Sequence, residues 1–433
     1  MYKKRYMEKL VTPEQAVAVI KDGDMLVHGF GMAEPPALLM ATADRLRAGD
    51  LKRIKIFSTL PFKHVCNTIL AVDLMDCVEI YAQFVGAGSR GLIRTGLAYF
   101  VPNHFHQVPR LLTEFIGVDV CVTTVSPMDQ SGFFSFGTAN DYTSIAARAA
   151  RELIVEVNNF MPRVFGDSSV HISEVDAVVE NHRPLSTLPS PKSRPEDKII
   201  GKTIAEMIPD GSCLQLGFGA LPSVVAGYLE GHKDLGIHTE IFSPAMVKLI
   251  REGVVTGAKK TLHPRKHVFT NAIGDQEMID FMDNNPAMES YPVSYTNHPS
   301  IIAKNERMIS VNAVIQVDLT GQCNAESLYG NQYSGTGGQL DFVRGAFDAK
   351  EGKSILAFYA TADNGKISRI VDRLDYGATV TTPRTDTHYL VTEYGAANLK
   401  GKSTRERVFA IIGLAHPKFR EELLRKAEDM YLV

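Results

Sequence analysis

The sequence predicts an α/β protein built from two similar open-sheet domains, and three observations carry that expectation. Its 433 residues exceed what one ordinary hydrophobic core fills. A strand, glycine loop and helix device occurs twice, as DGDMLVHGFGMAEPP from Asp22 and as DGSCLQLGFGALPS from Asp210. A polar stretch rich in proline, NHRPLSTLPSPKSRPEDK, separates the two copies.

The elements come in the same order in each half. TPEQAVAVI and GKTIAEMI have the spacing of short amphipathic helices. Each is followed by Asp-Gly, a turn signal, and then by an apolar run of strand length, MLVHGF or SCLQLGF. One offset separates Asp22 from Asp210 and Gly29 from Gly217, so the copies are in register. A proline soon after each Gly-Phe-Gly suits a helix start, where its missing N–H is no loss, and ALLMATADRL and SVVAGYLEGH are the helices expected. DLKRIKIFS and DLGIHTEIFS then read as strands, both ending Ile-Phe-Ser. Helix, strand, glycine loop, helix, strand is an open-sheet pattern, and paired halves of this kind place a site where strand ends face a common cleft. The expected division is a domain over 1–180, a linker over 181–198 carrying Pro184, Pro189, Pro191 and Pro195, and a domain over 199–433.

Composition narrows the function. Hydrophobic residues at 45% and charged residues at 22% describe a globular chain, and a formal net charge of −3 supplies no basic field for nucleic acid or an anionic membrane. No apolar run approaches the roughly 20 residues of a membrane helix. The basic MYKKRYMEKL leads into VTPEQAVAVIKDGD, which is not a signal-peptide core, so a cytoplasmic protein is expected. The five cysteines are widely spaced, fitting reduced thiols rather than a disulfide framework or a metal knuckle.

Among candidate chemical residues, Glu240 stands in an apolar strand just before Ile-Phe, where RIKIFS of the first half has Lys55. A carboxylate there is either paired or solvated at the strand's end, or it is a nucleophile or base aimed into a cleft. Ser334-Gly335-Thr336-Gly337-Gly338-Gln339 is the most glycine-dense stretch; its backbone N–H groups can face an anion or oxyanion, or it is a plain turn. It lacks the Gly-Lys-Ser/Thr ending of a P-loop. Gly86-Ala87-Gly88-Ser89-Arg90-Gly91 matches G-x-G-x-x-G, but Gly96 and Pro102 interrupt the next stretch of chain, so no dinucleotide helix is expected. Asn297, before His298-Pro299, is a side-chain donor or an ordinary turn residue. His263 and His267 flank Pro264 with no third ligand near, which reads as a turn rather than a metal site. No G-x-S-x-G elbow is present.

Several stretches together resemble the acetyl-CoA hydrolase/transferase family of class I CoA-transferases, particularly the 4-hydroxybutyrate and butyrate:acetate enzymes. They are VSPMDQSGFFSFGTANDYT, VNNFMPRVFGDSSVHISEVDAVVE, LQLGFGALPSVV, LGIHTEIFS, SYTNHPSIIAKN, ISVNAVIQVDLTGQ, SGTGGQLDFVRGA and VTTPRTDTHYLVTEYGAANLKGKSTRER, and they cover most of the chain. The resemblance implies two open-sheet α/β domains of the class I CoA-transferase type with the active site at their junction. It implies that Glu240 becomes acylated and then thioesterified to CoA in a ping-pong exchange. Asn297 and Gly338 match an oxyanion hole of side-chain amide and backbone N–H. The loop Gly217, Phe218, Gly219, Ala220, Leu221 matches a CoA-contacting loop, with Ile315 a backbone contact on a nearby strand and Gly338 a further one.

The implied cofactor status is that nothing is bound permanently: coenzyme A enters as acyl-CoA substrate, no metal is used, and the partners are small carboxylic acids. A homodimer or homotetramer is expected. Two departures stand out. In AFYATADNGK, Asp363 occupies the place of a CoA-contacting lysine, with Lys366 close by. FSTLPFKH differs from the family segment; its Lys63 and His64 read first as solvated loop residues, and the alternative is that they bind a second carboxylate, as a succinyl-CoA-dependent dicarboxylate transferase of itaconate type requires. Acyl-CoA hydrolysis on the same scaffold, a silent CoA-binding subunit and a nucleotide-binding dehydrogenase complete the alternatives.

Overall fold

A computed structural model describes residues 1–188, 192–217 and 219–433, so Pro189, Pro191 and Phe218 of the expected linker and loop lie outside the described residues. The chain forms two compact units that do not follow chain order. The first comprises Met1–Pro189, Ile241–Pro244 and Val268–Thr296, and the second Ser190–Glu240, Ala245–His267 and Asn297–Val433. The segments that join the first unit from beyond residue 198 are the difference from a division by chain order. Backbone pairing ties one of them in: Asn140 N–H donates to Thr270 O at 3.1 Å and Val293 N–H to Asp141 O at 2.9 Å.

Seven parallel strands make the sheet of the first unit: β1 Met25–His28, β2 Ile54–Thr59, β3 Val78–Phe84, β4 Ala98–Phe100, β5 Val120–Val125, β6 Glu152–Val157 and β7 Ala177–Glu180. They run in the order β7-β6-β5-β1-β2-β3-β4. Every residue of β1 and β5 is buried, the signature of strands covered on both faces. Leu26, Ile54, Ile56 and Val120 pack with Leu38 and Leu39 of helix α1 Pro36–Ala48 to form its core. That helix has proline at its first position and ends on Gly49 at φ 79, the αL stop glycine supplies without strain.

The second unit contributes β8 Cys213–Leu216, β9 Gly236–Phe242 (up to Glu240), β10 Met308–Ala313, β11 Lys353–Ala357, β12 Tyr389–Thr392 and β13 Gly395–Asn398. Their order is β13-β12-β11-β10-β8-β9, all parallel except the β12–β13 pair. Val317, Leu356, Leu390, Val408 and Ile411 centre its core. Pro195 opens helix α2 Pro195–Glu206, so the stretch expected as linker turns helical before Lys198.

The repeated device is real, but its glycines serve different ends. A Cβ on Gly29 would collide with Thr123 Oγ1 and the Ala33 carbonyl, and Gly31 has φ +56. A Cβ on Gly217 would meet nothing closer than 3.7 Å, whereas Gly219, which precedes helix α3 Ala220–Gly227, has φ 142, closed to other residues. The structure also corrects the pairing of Lys55 with Glu240. Leu26 lies opposite Ile56 and its repeat partner Leu214 opposite Ile237, so the position matching Glu240 is Thr59. Both strands end Ile-Phe-Ser, but the likeness is out of register by four residues.

After the G-x-G-x-x-G match comes only the short helix Arg90–Arg94. No helix among the described residues is long and apolar enough to cross a membrane. Overpacking sets the expected result at Gly29: Gly29→Ala lowers stability by about 1–3 kcal/mol, read as a fall in the denaturant midpoint. Gly217→Ala, with room for its methyl, shows a smaller fall.

Candidate active site

Strand β9 is buried from Gly236 through Thr239 and emerges at Glu240, which is half-buried near the strand's carboxyl end. Parallel pairing with β8, Cys213 opposite Gly236 and Leu214 opposite Ile237, fixes where that carboxylate sits. Open α/β sheets bind ligands beyond such strand ends.

Asn297 is fully buried in the turn between the one-turn helices Val293–Thr296 and Pro299–Ile302. The local capping that a residue before proline often performs falls to His298, whose Nδ1 accepts from Ser300 N–H at 3.2 Å. The amide of Asn297 is thereby left for a distant partner: its Nδ2 donates to Glu240 Oε2 at 2.6 Å. Its Oδ1 is buried with no hydrogen-bond partner among the described residues.

Gly338 meets the same oxygen. It is the N-cap of helix α4 Gln339–Asp348, with an unremarkable φ of −95, so backbone freedom is not why glycine stands there. Space is the reason, because a Cβ on Gly338 would run into both Glu240 Oε2 and Asn297 Nδ2. Gly337 before it has φ +53 and makes the bend. The loop is pinned on both sides. Thr336 Oγ1 donates to Glu326 Oε2 at 2.9 Å, Gln339 Nε2 donates to Ala313 O at 2.8 Å, and Thr382 Oγ1 donates to Gln339 Oε1 at 3.1 Å. Burial raises the Glu326 carboxyl above its usual range while the Thr336 bond opposes the rise. Backbone N–H groups at a helix start have no partner within the helix and lie at its positive end. A carboxylate, a side-chain amide and a helix start therefore converge on one point, an arrangement that holds a nucleophile beside donors for an oxyanion.

The other expected residues are dispersed. Gly217, Gly219, Ala220 and Leu221 form the loop and first turn between β8 and α3, with Gly217 N–H donating to Val311 O at 3.3 Å. Ile315 is not on a strand: it lies between β10 and the strand Gln316–Asp318, and its N–H is taken up by Asn324 O at 2.8 Å. Asp363 sits at φ +47 in a tight turn, where its carboxylate faces Lys366 Nζ at 3.5 Å. Asp363 and the nearby lysine thus pair with each other.

Asp363 also lines a cavity of about 670 Å³ with Arg194, Tyr359, Glu393, Tyr394 and His416, which sequence reasoning missed. The Tyr359 ring has guanidinium groups over it at 5.1 Å from Arg194 and 5.6 Å from Arg369, and its hydroxyl donates to Asp197 Oδ1 at 2.6 Å. In the first unit Lys63 is exposed, while His64 Nε2 faces the buried Glu34 Oε2 at 3.3 Å. Among the described residues no group of three histidine, cysteine or acidic side chains can hold a metal ion.

Comparison with known proteins bears on this geometry. The acetyl-CoA hydrolase/transferase N-terminal domain model matches residues 1–189, and the C-terminal domain model matches residues 274–427. A succinyl-CoA:cyclohexane-1-carboxylate CoA transferase of Geobacter metallireducens is 43% identical over 99% of this chain and 97% of its own. A 4-hydroxybutyrate coenzyme A transferase of Clostridium kluyveri is 43% identical over 98% of this chain and 99% of its own. The crystal structure of RipA from Yersinia pestis superposes with a TM-score of 0.97 at 51% identity, covering all of both chains. With both domain models matched and full-length relatives at this identity, the chain belongs to the acetyl-CoA hydrolase/transferase family.

Proposed function

We propose that this chain is a CoA-transferase that moves CoA between a short-chain acyl-CoA and a free carboxylate of the 4-hydroxybutyrate, butyrate or acetate type. The observation that carries the reading is the meeting of Asn297 Nδ2 and the Gly338 backbone at Glu240 Oε2. An ionised Glu240 oxygen attacks the thioester carbonyl, and the tetrahedral oxyanion is met by the Asn297 amide and the Gly338 N–H. Breaking the C–S bond releases CoA thiolate and leaves an acyl-glutamyl anhydride. The thiolate attacks the glutamyl carbonyl, expels the first acid as its carboxylate and forms a glutamyl-CoA thioester. A second carboxylate reverses both steps and leaves as the new acyl-CoA, returning Glu240 to its starting state. One exchange becomes several easier ones.

In this reading the coenzyme is a substrate, carried by the loop Gly217–Leu221, by Ile315 through its carbonyl and by the cavity beside Asp363. Arg194, which lines that cavity, supplies the positive charge that the family lysine supplies elsewhere. The protein works in the cytoplasm as a homodimer or homotetramer. Both close relatives named above are CoA-transferases, which favours an acid over water as acceptor.

Mixing the enzyme with acyl-CoA, trapping with borohydride and mapping by mass spectrometry should place the modification on Glu240. A fully active protein with no label there would overturn the mechanism. Thiol release should depend on added carboxylic acid; undiminished release without acid identifies a hydrolase instead.

Asn297→Ala should lower kcat by about a hundredfold or more, as loss of one oxyanion donor does. Gly338→Ala should fold normally yet lose at least about a hundredfold in kcat, because its methyl displaces the Glu240 carboxylate. Wild-type turnover in Gly338→Ala would remove the geometric basis of the assignment.

A further inference from the structure

Like charges gathered in one hollow repel each other unless something of opposite sign joins them. The second unit gathers three cations in this way. Arg384, Lys402 and Arg407 line a cavity of about 300 Å³ together with Thr320, Thr385 and Thr404. No carboxylate among the described residues lies within ion-pair distance of the three. The acids close by in the chain are engaged elsewhere. Asp386 is taken by Arg344 at 3.1 Å. Asp318 accepts from Thr320 N–H at 2.9 Å and from Gln322 Nε2 at 2.6 Å. Glu406 accepts from the hydroxyl and the N–H of Ser403 at 2.6 and 2.8 Å. Those bonds hold its carboxyl below the usual range, with a smaller pull from Lys402.

Arg407 is the fixed member of the cluster. It lies in the first turn of the helix Thr404–Gly413, and its Nη1 donates to Thr320 O at 3.2 Å and to Arg384 O at 2.6 Å. Nε and Nη2 make no bond among the described residues, so most of the guanidinium's N–H groups are left for a guest. Burial pulls this guanidinium below its ordinary range, and the Arg384 charge pulls the same way with no acid opposing. The Thr320 hydroxyl is given to Asp318 at 2.8 Å, whereas those of Thr385 and Thr404 are bonded to no protein group among the described residues. A second cavity of about 330 Å³ shares Thr320 and Arg384 with the first and is lined in part by Leu374, Val380 and Met430. A carboxylate would bring one charge and two oxygens to this hollow. A phosphate monoester brings close to two charges and three terminal oxygens, and bonds arginine in pairs. The chain's formal net charge of −3 makes the cluster an isolated patch rather than a face for nucleic acid.

We propose that the hollow formed by Arg384, Lys402 and Arg407 binds the phosphoryl group of a small phosphorylated molecule, whose organic part lies in the adjoining cavity. The two guanidinium groups, the Lys402 ammonium and the hydroxyls of Thr385 and Thr404 donate to the phosphoryl oxygens. This site is separate from the one around Glu240. Lys402 follows β13, and β13 and β9 stand at opposite ends of the second unit's strand order, five strand steps or roughly 24 Å apart. Phosphoryl binding there does not depend on the CoA-transfer reading.

The test titrates the full chain by calorimetry with phenyl phosphate and with inorganic phosphate, at one ionic strength set by sodium chloride. One phenyl phosphate should bind per chain, and more tightly than inorganic phosphate, because its ring enters the second cavity. Arg384→Met and Lys402→Met remove exposed side chains that the fold does not need, and each should weaken binding by about tenfold. Lys350→Met, which removes the same charge from a pair with Glu306 on the same unit, should change nothing. Arg194→Met, in the cavity beside Asp363, should also leave phenyl phosphate binding intact. An equal loss in Lys350→Met would reduce the effect to a diffuse field and overturn the proposal. So would binding lost in Arg194→Met but kept in Arg384→Met, which would put the probe in the other cavity. Inorganic phosphate bound as tightly as phenyl phosphate overturns the monoester assignment. The KM for acyl-CoA should be the same in Arg384→Met as in the wild type; a rise matching the loss of phosphate binding would hand this hollow to the coenzyme. Phenyl phosphate binding in a chain that exchanges no CoA would support this site while striking down the transferase reading.

Discussion

The meeting of Glu240, Asn297 and Gly338 depends on a space too small for one carbon atom. At Gly338 a Cβ would collide with both Glu240 Oε2 and Asn297 Nδ2. Three chain segments meet there: the end of β9, the turn after Tyr295 and the loop before α4. Each is fixed by something other than the meeting itself. Pairing with β8 fixes Glu240, and Asn297 is freed by the capping that His298 performs. Thr336 and Gln339 tether the loop to Glu326, Ala313 and Thr382. Donors already in place when charge develops need no reorganisation during reaction, which is where such sites gain most of their advantage.

The same tethering explains the uneven legibility of the sequence. Repeats and strand–loop–helix order were readable because they are local and periodic: α1 covers ALLMATADRL, whereas α3 starts before SVVAGYLEGH and ends within it, at Gly227. That Glu240, Asn297 and Gly338 would meet was legible only through family resemblance. On its own, each had an ordinary alternative, since nothing in Tyr-Thr-Asn-His-Pro says that the histidine will cap and the asparagine will reach away. The cavity beside Asp363 left no trace at all, for Arg194, Tyr359, Glu393 and His416 are far apart in the chain and share no spacing. The strand assigned to Ile315 came from the family resemblance alone; in this chain the backbone leaves one strand at Ala313 and starts the next at Gln316. The likeness of RIKIFS to HTEIFS misled for a related reason. Apolar strand ends repeat readily, and only backbone pairing shows that the likeness is out of register.

Corrected register changes what the internal repeat means. With Leu26 matched to Leu214, Glu240 corresponds to Thr59, at the carboxyl end of β2. The equivalent end of each sheet therefore carries polar side chains that a strand interior would not tolerate. In the second unit it is a carboxylate that accepts from the Asn297 amide beside the start of α4. In the first it is a set of neutral groups, His28, Glu34 and His64, with atoms that no protein partner satisfies. Parallel strands explain the recurrence, since all of them point their carboxyl ends, and the loops attached there, toward one side. A duplicated unit thus starts with a ready-made edge, and the side chains at a few strand-end positions decide which polar groups line it. Charge separates the two outcomes here. Glu240, half-buried, accepts from the Asn297 amide, whereas burial pushes the enclosed Glu34 carboxyl well above the usual carboxylate range, opposed by the Phe62 N–H bond.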